Sequence, residues 1–266
     1  MTDTTYLQRA LTDEGVLRVT LNDEARRNAL SEGMLDALQN MLDDAGANKQ
    51  VRVIIIAARG PAFCAGHNLK EMTAARADAD GGLAYYQRIL GQCSAMMQSI
   101  VSCPKPVIAA VDGVATAAGC QLVASCDLAI ASQEARFSTP GVHIGLFCST
   151  PMVALSRNVS HKHAMEMLLT GDMVSGARAA EMGLINKAVL ADDLDDEVMA
   201  LATKIASKSS LTLATGKQAF YKQSEMALSD AYDYASQVMV QNMMAHDAQE
   251  GIGAFIEKRP AKWQDK

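Results

Sequence analysis

KPVIAAVDGVATAAGCQLVASCDLAI, Lys105 to Ile130, decides the fold. Its first run, PVIAAV, is apolar throughout and too short for a helix, as in a strand covered on both faces. Small residues then crowd the chain up to Ala117-Ala118-Gly119 and lead into an apolar stretch that holds one polar amide, Gln121. No charge appears after Gly113 until Asp127, where DLAI gives another strand-like run. Strand, tight turn, helix, strand is the unit of a parallel sheet with crossovers. The turn also bears on function. The first N–H groups of a helix have no partner within it, and small residues let an anionic oxygen approach them.

The same grammar extends outward. GVLRVTLND (Gly15 to Asp23) and the β-branched VRVIIIAARG (Val51 to Gly60) read as strands. Between them NALSEGMLDALQNMLDDAG reads as a helix, with Ser31 as N-cap, Met34, Leu35, Leu38, Met41 and Leu42 as its apolar stripe, and Gly46 closing it. Ser132 to Phe147 reads as loop and short strands, Thr150-Pro151 as an N-cap with proline at the first helical position, Ser175 to Gly183 as a capped helix, and LINKAVL as a strand. From Leu194 onward three helical segments run to the end, and Met239, Met243 and Met244 make an apolar surface suited to a core or to an oligomer interface. The expected organisation is an α/β core over residues 1–193 and a helical region over 194–266.

Composition excludes some classes. A net charge of -6 argues against nucleic acid. The longest apolar region, Pro106 to Ala131, is broken by Asp112, Gln121 and Asp127, which argues against a membrane span. The N-terminal MTDTTYLQRA has neither a signal-peptide core nor an Arg-rich amphipathic pattern, and the six cysteines form no CxxC pair. Together these predict a reduced, cytoplasmic protein. The HxH of His161 and His163 points to different sides of a helix, so no metal site is expected there.

A second segment repeats the strand-to-small-residue-to-helix pattern. Arg59-Gly-Pro-Ala-Phe-Cys-Ala-Gly-His-Asn-Leu-Lys70 follows the strand VRVIIIAA. Two such turns suggest two convergent backbone donors.

With these segments the chain resembles the enoyl-CoA hydratase/isomerase, or crotonase-like, superfamily over nearly its whole length. FCAGHNLKEM looks like the family's AG-x-D-h-K-E turn, KPVIAAVDGVATAAGC like its KP-hIAAV-G-x-x-x-GGG segment, and MLLTGDMVSGARAAEMGLINKAV and EGIGAFIEKRPAKW like its later signatures. ATAAGCQLVASCDLAIAS and FSTPGVHIGLFCSTP look closest to the enoyl-CoA hydratase domain-containing protein 3 subgroup. The resemblance implies a spiral of ββα units, C-terminal helices that build homotrimers or hexamers, and a coenzyme A thioester as substrate with no further cofactor. It puts the two oxyanion donors on the backbone N–H of His67 and Ala118, where Ala118 replaces the usual glycine and its methyl narrows the pocket. It runs the coenzyme along Ala65, His67, Leu69 and Lys70, brings Arg26 or Arg27 to the phosphates, and adds Phe255 and Lys258 as a lid. The family's aspartate is Asn68 here, which leaves the task of that carboxylate open.

The two glutamates of the family's hydratases align with Gln121 and Gly141. Glutamine cannot exchange protons near neutral pH, and glycine has no side chain. The expected protein is therefore an acyl-CoA enzyme that polarises the thioester but lacks the hydratase's proton-transfer pair. A non-catalytic acyl-CoA-binding oligomer and a residual hydratase with Gln121 positioning water are the alternatives. If FSTPGVHIG is extended, His143 shares a face with Gly141 and is a candidate proton carrier. Cys148, with thiolate character at a helix N-terminus, and Ser149 are others. Each also has a plain structural reading: satisfied histidine, buried thiol, capping residue and, for Gln121, core amide.

Overall fold

VRVIIIAARG contains the strand β3 (Val53–Ala58), and its uniform apolarity follows from where it lies. In the computed structural model, which describes residues 5–266, Ile54 and Ile56 face one hydrophobic core and Val53, Ile55 and Ala57 face another. Residues 1–4 of the N-terminal stretch discussed above lie outside the described residues.

β3 is central in a six-stranded sheet with β1 (Leu7–Leu11) and β2 (Val16–Leu21) on one side and β5 (Val107–Val111), β7 (Leu128–Ser132) and β10 (Lys187–Val189) on the other. Only β1, in its hairpin with β2, runs antiparallel. A second, four-stranded sheet is ordered β4 (Ala62–Cys64), β6 (Val114–Thr116), β8 (Arg136–Ser138) and β9 (Val174–Ser175). The chain alternates between the sheets: β3 leads to β4, β5 to β6 and β7 to β8, with helix after each pair. This is a spiral of ββα units, and β4, β6 and β8 lie parallel in consecutive turns of it.

The helices fill the space between and around the sheets. α1 (Glu32–Ala47) starts where expected, with the Ser31 hydroxyl accepting the Met34 N–H, but it runs past Gly46 and is capped at Asn48. α2 (Leu69–Ala74) and α3 (Leu83–Ser102) follow β4, and α4 (Ala118–Ser125) follows β6. α5 (Ser149–Leu155) begins at Ser149, not after Thr150. Pro151 is thus its third residue, still within the first turn where an N–H has no helical partner. α6 (His161–Thr170) and α7 (Gly176–Met182) complete the core turns.

α8 (Leu194–Ala206) lays Leu194, Val198, Ala202 and Ala206, spaced four apart, on Val53, Ile55, Ile108 and Ile130. Beyond it, α9 (Ser210–Gln223) and α10 (Leu228–Met243) bury no residue, and α11 (His246–Glu257) buries Asp247 and Ala254. The buried Asp247 carboxylate accepts the N–H groups of Gln264 and Asp265, and Asp265 reaches Arg52, so the last residues strap α11 to the core.

With no apolar face of its own buried, α9 is held by polar groups. Lys217 Nζ lies 2.7 Å from Asp127 Oδ2 and donates to the carbonyls of Ile100 and Lys105. Asp127 also accepts the Tyr221 hydroxyl and the Val107 N–H. The Lys217 and Asp127 side chains are only 8% and 15% exposed. Removing one partner of a buried pair leaves the other uncompensated, at a cost of about 3–5 kcal/mol. Lys217→Met is expected to lower stability toward that range in chemical denaturation. A loss within about 0.5 kcal/mol, as at an ordinary surface position, would show that the pair does not anchor α9.

Candidate active site

The first turn is Ala65-Gly66-His67-Asn68, between β4 and α2. Gly66 has φ +91°, a conformation that glycine adopts without a steric penalty. The segment before α1 ties this turn down: Ala65 N–H donates to the Arg27 carbonyl at 3.1 Å and Leu30 N–H to the Gly66 carbonyl at 2.8 Å. Asn68 caps α2. Its Oδ1 accepts the Lys70 N–H, and its Nδ2 donates to Glu71 Oε1 at 2.9 Å. The other Glu71 oxygen accepts the Glu32 N–H, which fastens α2 to α1. An aspartate at position 68 can cap but cannot donate to Glu71, so the amide has a structural task of its own.

The second turn is Ala117, at φ 51° and ψ −118°, immediately before α4. These angles match the first corner of a type II′ turn, which glycine dominates. A residue with a Cβ held in so sparsely populated a region costs about 1–3 kcal/mol. Two hydrogen bonds hold it: Ala117 N–H donates to the Ser138 carbonyl at 3.0 Å, and its own carbonyl accepts the Gln121 N–H at 3.0 Å.

The two turns touch. A Cβ on Gly66 would stand 2.9 Å from the Ala117 methyl carbon and 3.3 Å from the Ala118 nitrogen. Thr116 Oγ1 donates to the Ala65 carbonyl at 3.2 Å. Behind this contact, a Cβ on Gly119 would come within 2.0 Å of the Cys64 carbonyl oxygen. Among the described residues neither His67 N–H nor Ala118 N–H donates to a protein acceptor.

Several buried polar atoms near these turns also lack partners: both ring nitrogens of His67, Gln121 Oε1, Ser138 Oγ and Thr139 Oγ1. All lie at or just beyond the ends of β4, β6 and β8 or one helical turn further on. Burial lowers the His67 pKa below its ordinary value, against a smaller opposing effect of the Leu30 backbone, so the ring is neutral near pH 7. Gln121 is 5% exposed, in a helix buried along its whole length.

The segment after β8 differs from the extended reading. Pro140–Ile144 is a 3-10 turn closed by Gly145 in the left-handed region. Residues two apart in such a turn point in different directions, so His143 does not share a face with Gly141. The exposed His143 ring is turned toward Gly171, at the end of α6, where an added Cβ would meet its Nε2 at 2.8 Å. Gly141 faces Cys148, whose sulfur accepts the Gly141 N–H at 3.3 Å. Cys148 is buried, and burial raises its pKa above the ordinary thiol value although the Gly141 N–H opposes the rise. The thiolate expectation is therefore overturned. Ser149 is exposed and donates to the Phe147 carbonyl.

Of the residues expected along the coenzyme, Ala65, His67, Asn68, Leu69 and Lys70 are contiguous at the first turn, with Leu69 and Lys70 exposed. Arg26 is exposed and pairs with Asp23. Phe255, which is 85% exposed, and Lys258 stand at the end of α11 and make no hydrogen bond to either turn. Ala118, whose methyl is expected to narrow the pocket, is 1% exposed, and Ala117 beside it is partly exposed and packs against the core. Sequence reasoning also missed Asn28, fully buried in left-handed conformation, whose Nδ2 donates to the carbonyls of Arg59 and Ala62 and so fixes the start of β4. The only sequence sign of it is an asparagine, tolerant of that conformation, closing the polar run NDEARRN.

A family model described as enoyl-CoA hydratase/isomerase matches residues 12–266. The chain belongs to the enoyl-CoA hydratase/isomerase family. Rat (Rattus norvegicus) enoyl-CoA hydratase domain-containing protein 3 is 48% identical over 250 residues, covering 94% of this chain and 82% of that protein. Among solved structures, an enoyl-CoA hydratase from Mycobacterium smegmatis matches with TM-score 0.93 and 47% identity, over 97% of this chain and 98% of that one. Human enoyl-CoA hydratase domain-containing protein 3 matches with TM-score 0.91 and 44% identity, over 97% and 100%. The family and subgroup resemblance and the ββα fold hold. The cytoplasmic expectation does not: the domain-containing protein 3 relatives from rat, mouse, frog, human and zebrafish, 46–48% identical, are all named mitochondrial. No helix among the described residues is long and apolar enough to cross a membrane.

Gly119→Ala tests whether the main-chain contact positions both turns. The new methyl meets backbone, which cannot swing aside as a side chain can. Overpacking of this kind costs about 1–3 kcal/mol or more. Chemical denaturation is expected to show that loss, and unchanged stability would mean that β4 and α4 are free to separate.

Proposed function

We propose that this chain binds a coenzyme A thioester and polarises its carbonyl with the backbone N–H groups of His67 and Ala118. The observation that carries the reading is the contact between the two turns, with both N–H groups free of protein acceptors. Fixed donors in a water-poor site stabilise developing oxyanion charge, and losing one costs about 10²–10³-fold in rate. Family membership supports the ligand class. In this proposal the coenzyme lies along Ala65, His67, Leu69 and Lys70, and Arg26 and Arg27 offer local positive charge in an acidic protein. No further cofactor takes part.

Two-glutamate hydration finds no support in the residues present. Gln121 cannot act as a base, and the space beside Gly141 is filled: a Cβ there would stand 2.9 Å from both Cys148 Sγ and the Leu146 carbonyl oxygen. A glutamate at 141 thus requires the loop to be rebuilt. Reactions that need a polarised thioester without that pair, such as double-bond isomerisation, thioester hydrolysis or decarboxylation, fit better. One observation favours a second reading, a slow hydratase in which Gln121 orients water: its Oε1 is buried without a partner.

Crotonyl-CoA hydration, followed by loss of the enoyl absorbance, is expected near background. Gln121→Glu restores one proton-transfer group, worth about 10²-fold or more, and is expected to raise the rate toward that factor. Turnover of the unaltered protein at ordinary enzyme rates would overturn the proposal. Mass spectrometry of a thioester panel before and after incubation separates another acyl-CoA reaction from a protein that only binds.

The proposal includes a homotrimer or hexamer built by the helical region 194–266, with α8 packed on the core sheet. Tyr232, Met239, Val240, Met243 and Met244 on or just beyond α10 are 51–75% exposed, large apolar side chains that a partner surface would cover. The lid role of Phe255 and Lys258 remains part of this proposal. Sedimentation equilibrium is expected to give three or six copies of the 28.3 kDa chain. Val240→Asp with Met243→Asp is expected to give folded monomers, and a monomeric unaltered protein would refute the assembly.

A further inference from the structure

β4, β6 and β8 run parallel, and both turns follow strand ends. At the other edge of this sheet, where β8 starts, the chain leaves a cleft of about 360 Å³. That volume is within the range of small-molecule sites. Met167 of α6 and Met182 of α7, both buried, give it an apolar lining. Four charged side chains line it as well: Arg136, Arg178, Glu166 and Asp172. Among the described residues no ion pair joins either carboxylate to either guanidinium. Opposite charges that share one cleft without pairing are each open to a partner from a ligand.

Both guanidinium groups are held in place. Arg136 Nη1 donates to the carbonyls of Gln133, Glu134 and Ala135 at 2.9–3.2 Å, which leaves the rest of its fork for a ligand. Arg178 is fixed from two sides, by Glu181 at 2.9 Å and by His163 Nε2 at 3.2 Å. A guanidinium only donates, so Nε2 accepts and the ring proton sits on Nδ1. Half of the HxH pair thus has a task, which is to orient Arg178. On the acidic side, the Thr170 hydroxyl donates to the Glu166 carbonyl and accepts the Asp172 N–H, which fixes the chain where α6 ends.

We propose that this cleft binds a free α-amino acid with an apolar side chain. The carboxylate lies on Arg136 and Arg178, the ammonium on Glu166 and Asp172, and the side chain on Met167 and Met182. A zwitterion meets both signs of charge in the cleft, whereas a simple anion or cation faces two groups of its own sign. Guanidinium and carboxylate match in geometry as well as charge, and the flexible thioethers adapt to apolar side chains of different shape. The site shares no residue with the two turns and stands apart from the thioester reading.

The test is calorimetric titration of the full chain with L-leucine and L-methionine, both expected to bind. 4-Methylpentanoate lacks the ammonium and leucinamide lacks the carboxylate. Each is expected to bind about tenfold more weakly than leucine or worse, the loss of one charged hydrogen bond. Arg136→Gln and Glu166→Gln, on separate elements, are each expected to weaken leucine by a similar factor, with circular dichroism reporting that both variants fold. No binding of either amino acid at millimolar concentration, equal binding of either analogue, or leucine binding unchanged in both variants overturns the inference. A shift in sedimentation of either variant, with no amino acid bound by the unaltered protein, assigns the cleft to contacts between copies and overturns it too.

Discussion

The candidate site depends on one close approach between main chains. β4 and β6 pair in parallel, and the residues that follow them cannot diverge, because Gly119 lies directly on the Cys64 carbonyl and Gly66 against Ala117. Neither contact tolerates a Cβ on the glycine. The spacing of the two turns is thus set by glycine and by strand pairing, not by any side chain that reaches into the site. Asn28, fastened to the Arg59 and Ala62 carbonyls, and the Leu30 N–H on Gly66 hold the first turn from behind. The Ser138 carbonyl holds the second.

This division between backbone and side chain separates what a substitution can remove from what it leaves in place. A backbone donor survives any substitution that leaves the turn intact, and alanine at 118 supplies the same N–H as glycine. A carboxylate is lost in a single change, and its space can then be taken over. At Gly141 the space is occupied: the 3-10 turn folds back so that Leu146 N–H reaches the Gly141 carbonyl and the Cys148 sulfur takes the Gly141 N–H. Burial keeps the surrounding groups uncharged, with His67 lowered and Cys148 raised. What remains beside the turns at positions 121 and 141 is an amide and a glycine, able to orient a carbonyl or a water, and the His67 ring is the neighbouring group whose chemistry allows proton transfer.

Much of the fold was legible in the sequence because it rests on local burial patterns. β3 and β5 are apolar at every position since both faces of the sheet are covered, and Ser31 announces α1 by its chemistry. Ser132 to Phe147 is loop and short strand as its composition suggests, but the exact shape after Ser138 is set by tertiary contacts that the sequence does not display. FSTPGVHIG carries proline and glycine that suit either an extended strand or a 3-10 turn, and the choice rests with Gly145 and the bond from Leu146 to Gly141. Thr150 looked like a cap because proline follows it, but the helix had already begun at Ser149. The strained position in the second turn is hidden for a similar reason: adjacent alanines are equivalent in sequence, and only the positive φ at 117 tells them apart.

The apolar faces of α10 and α11 and the orphaned polar atoms around the turns raise the same physical question. A single chain that leaves Met244 and Phe255 more than two-thirds exposed has buried what it can by itself. The Gln121, Ser138 and Thr139 oxygens likewise find no partner among the described residues. Buried polar groups are almost always satisfied in folded proteins, and large apolar patches are almost always covered. The first demand calls for water or a ligand with polar atoms at the ends of β4, β6 and β8. The second calls for further apolar surface. A thioester at the turns and copies of the chain on the helices would answer both, and the two are separable, since no hydrogen bond joins α10 or α11 to the turns. Loss of assembly with retained thioester binding is therefore a coherent state of this molecule, as is an assembled protein whose turns have been pushed apart by a side chain at 119.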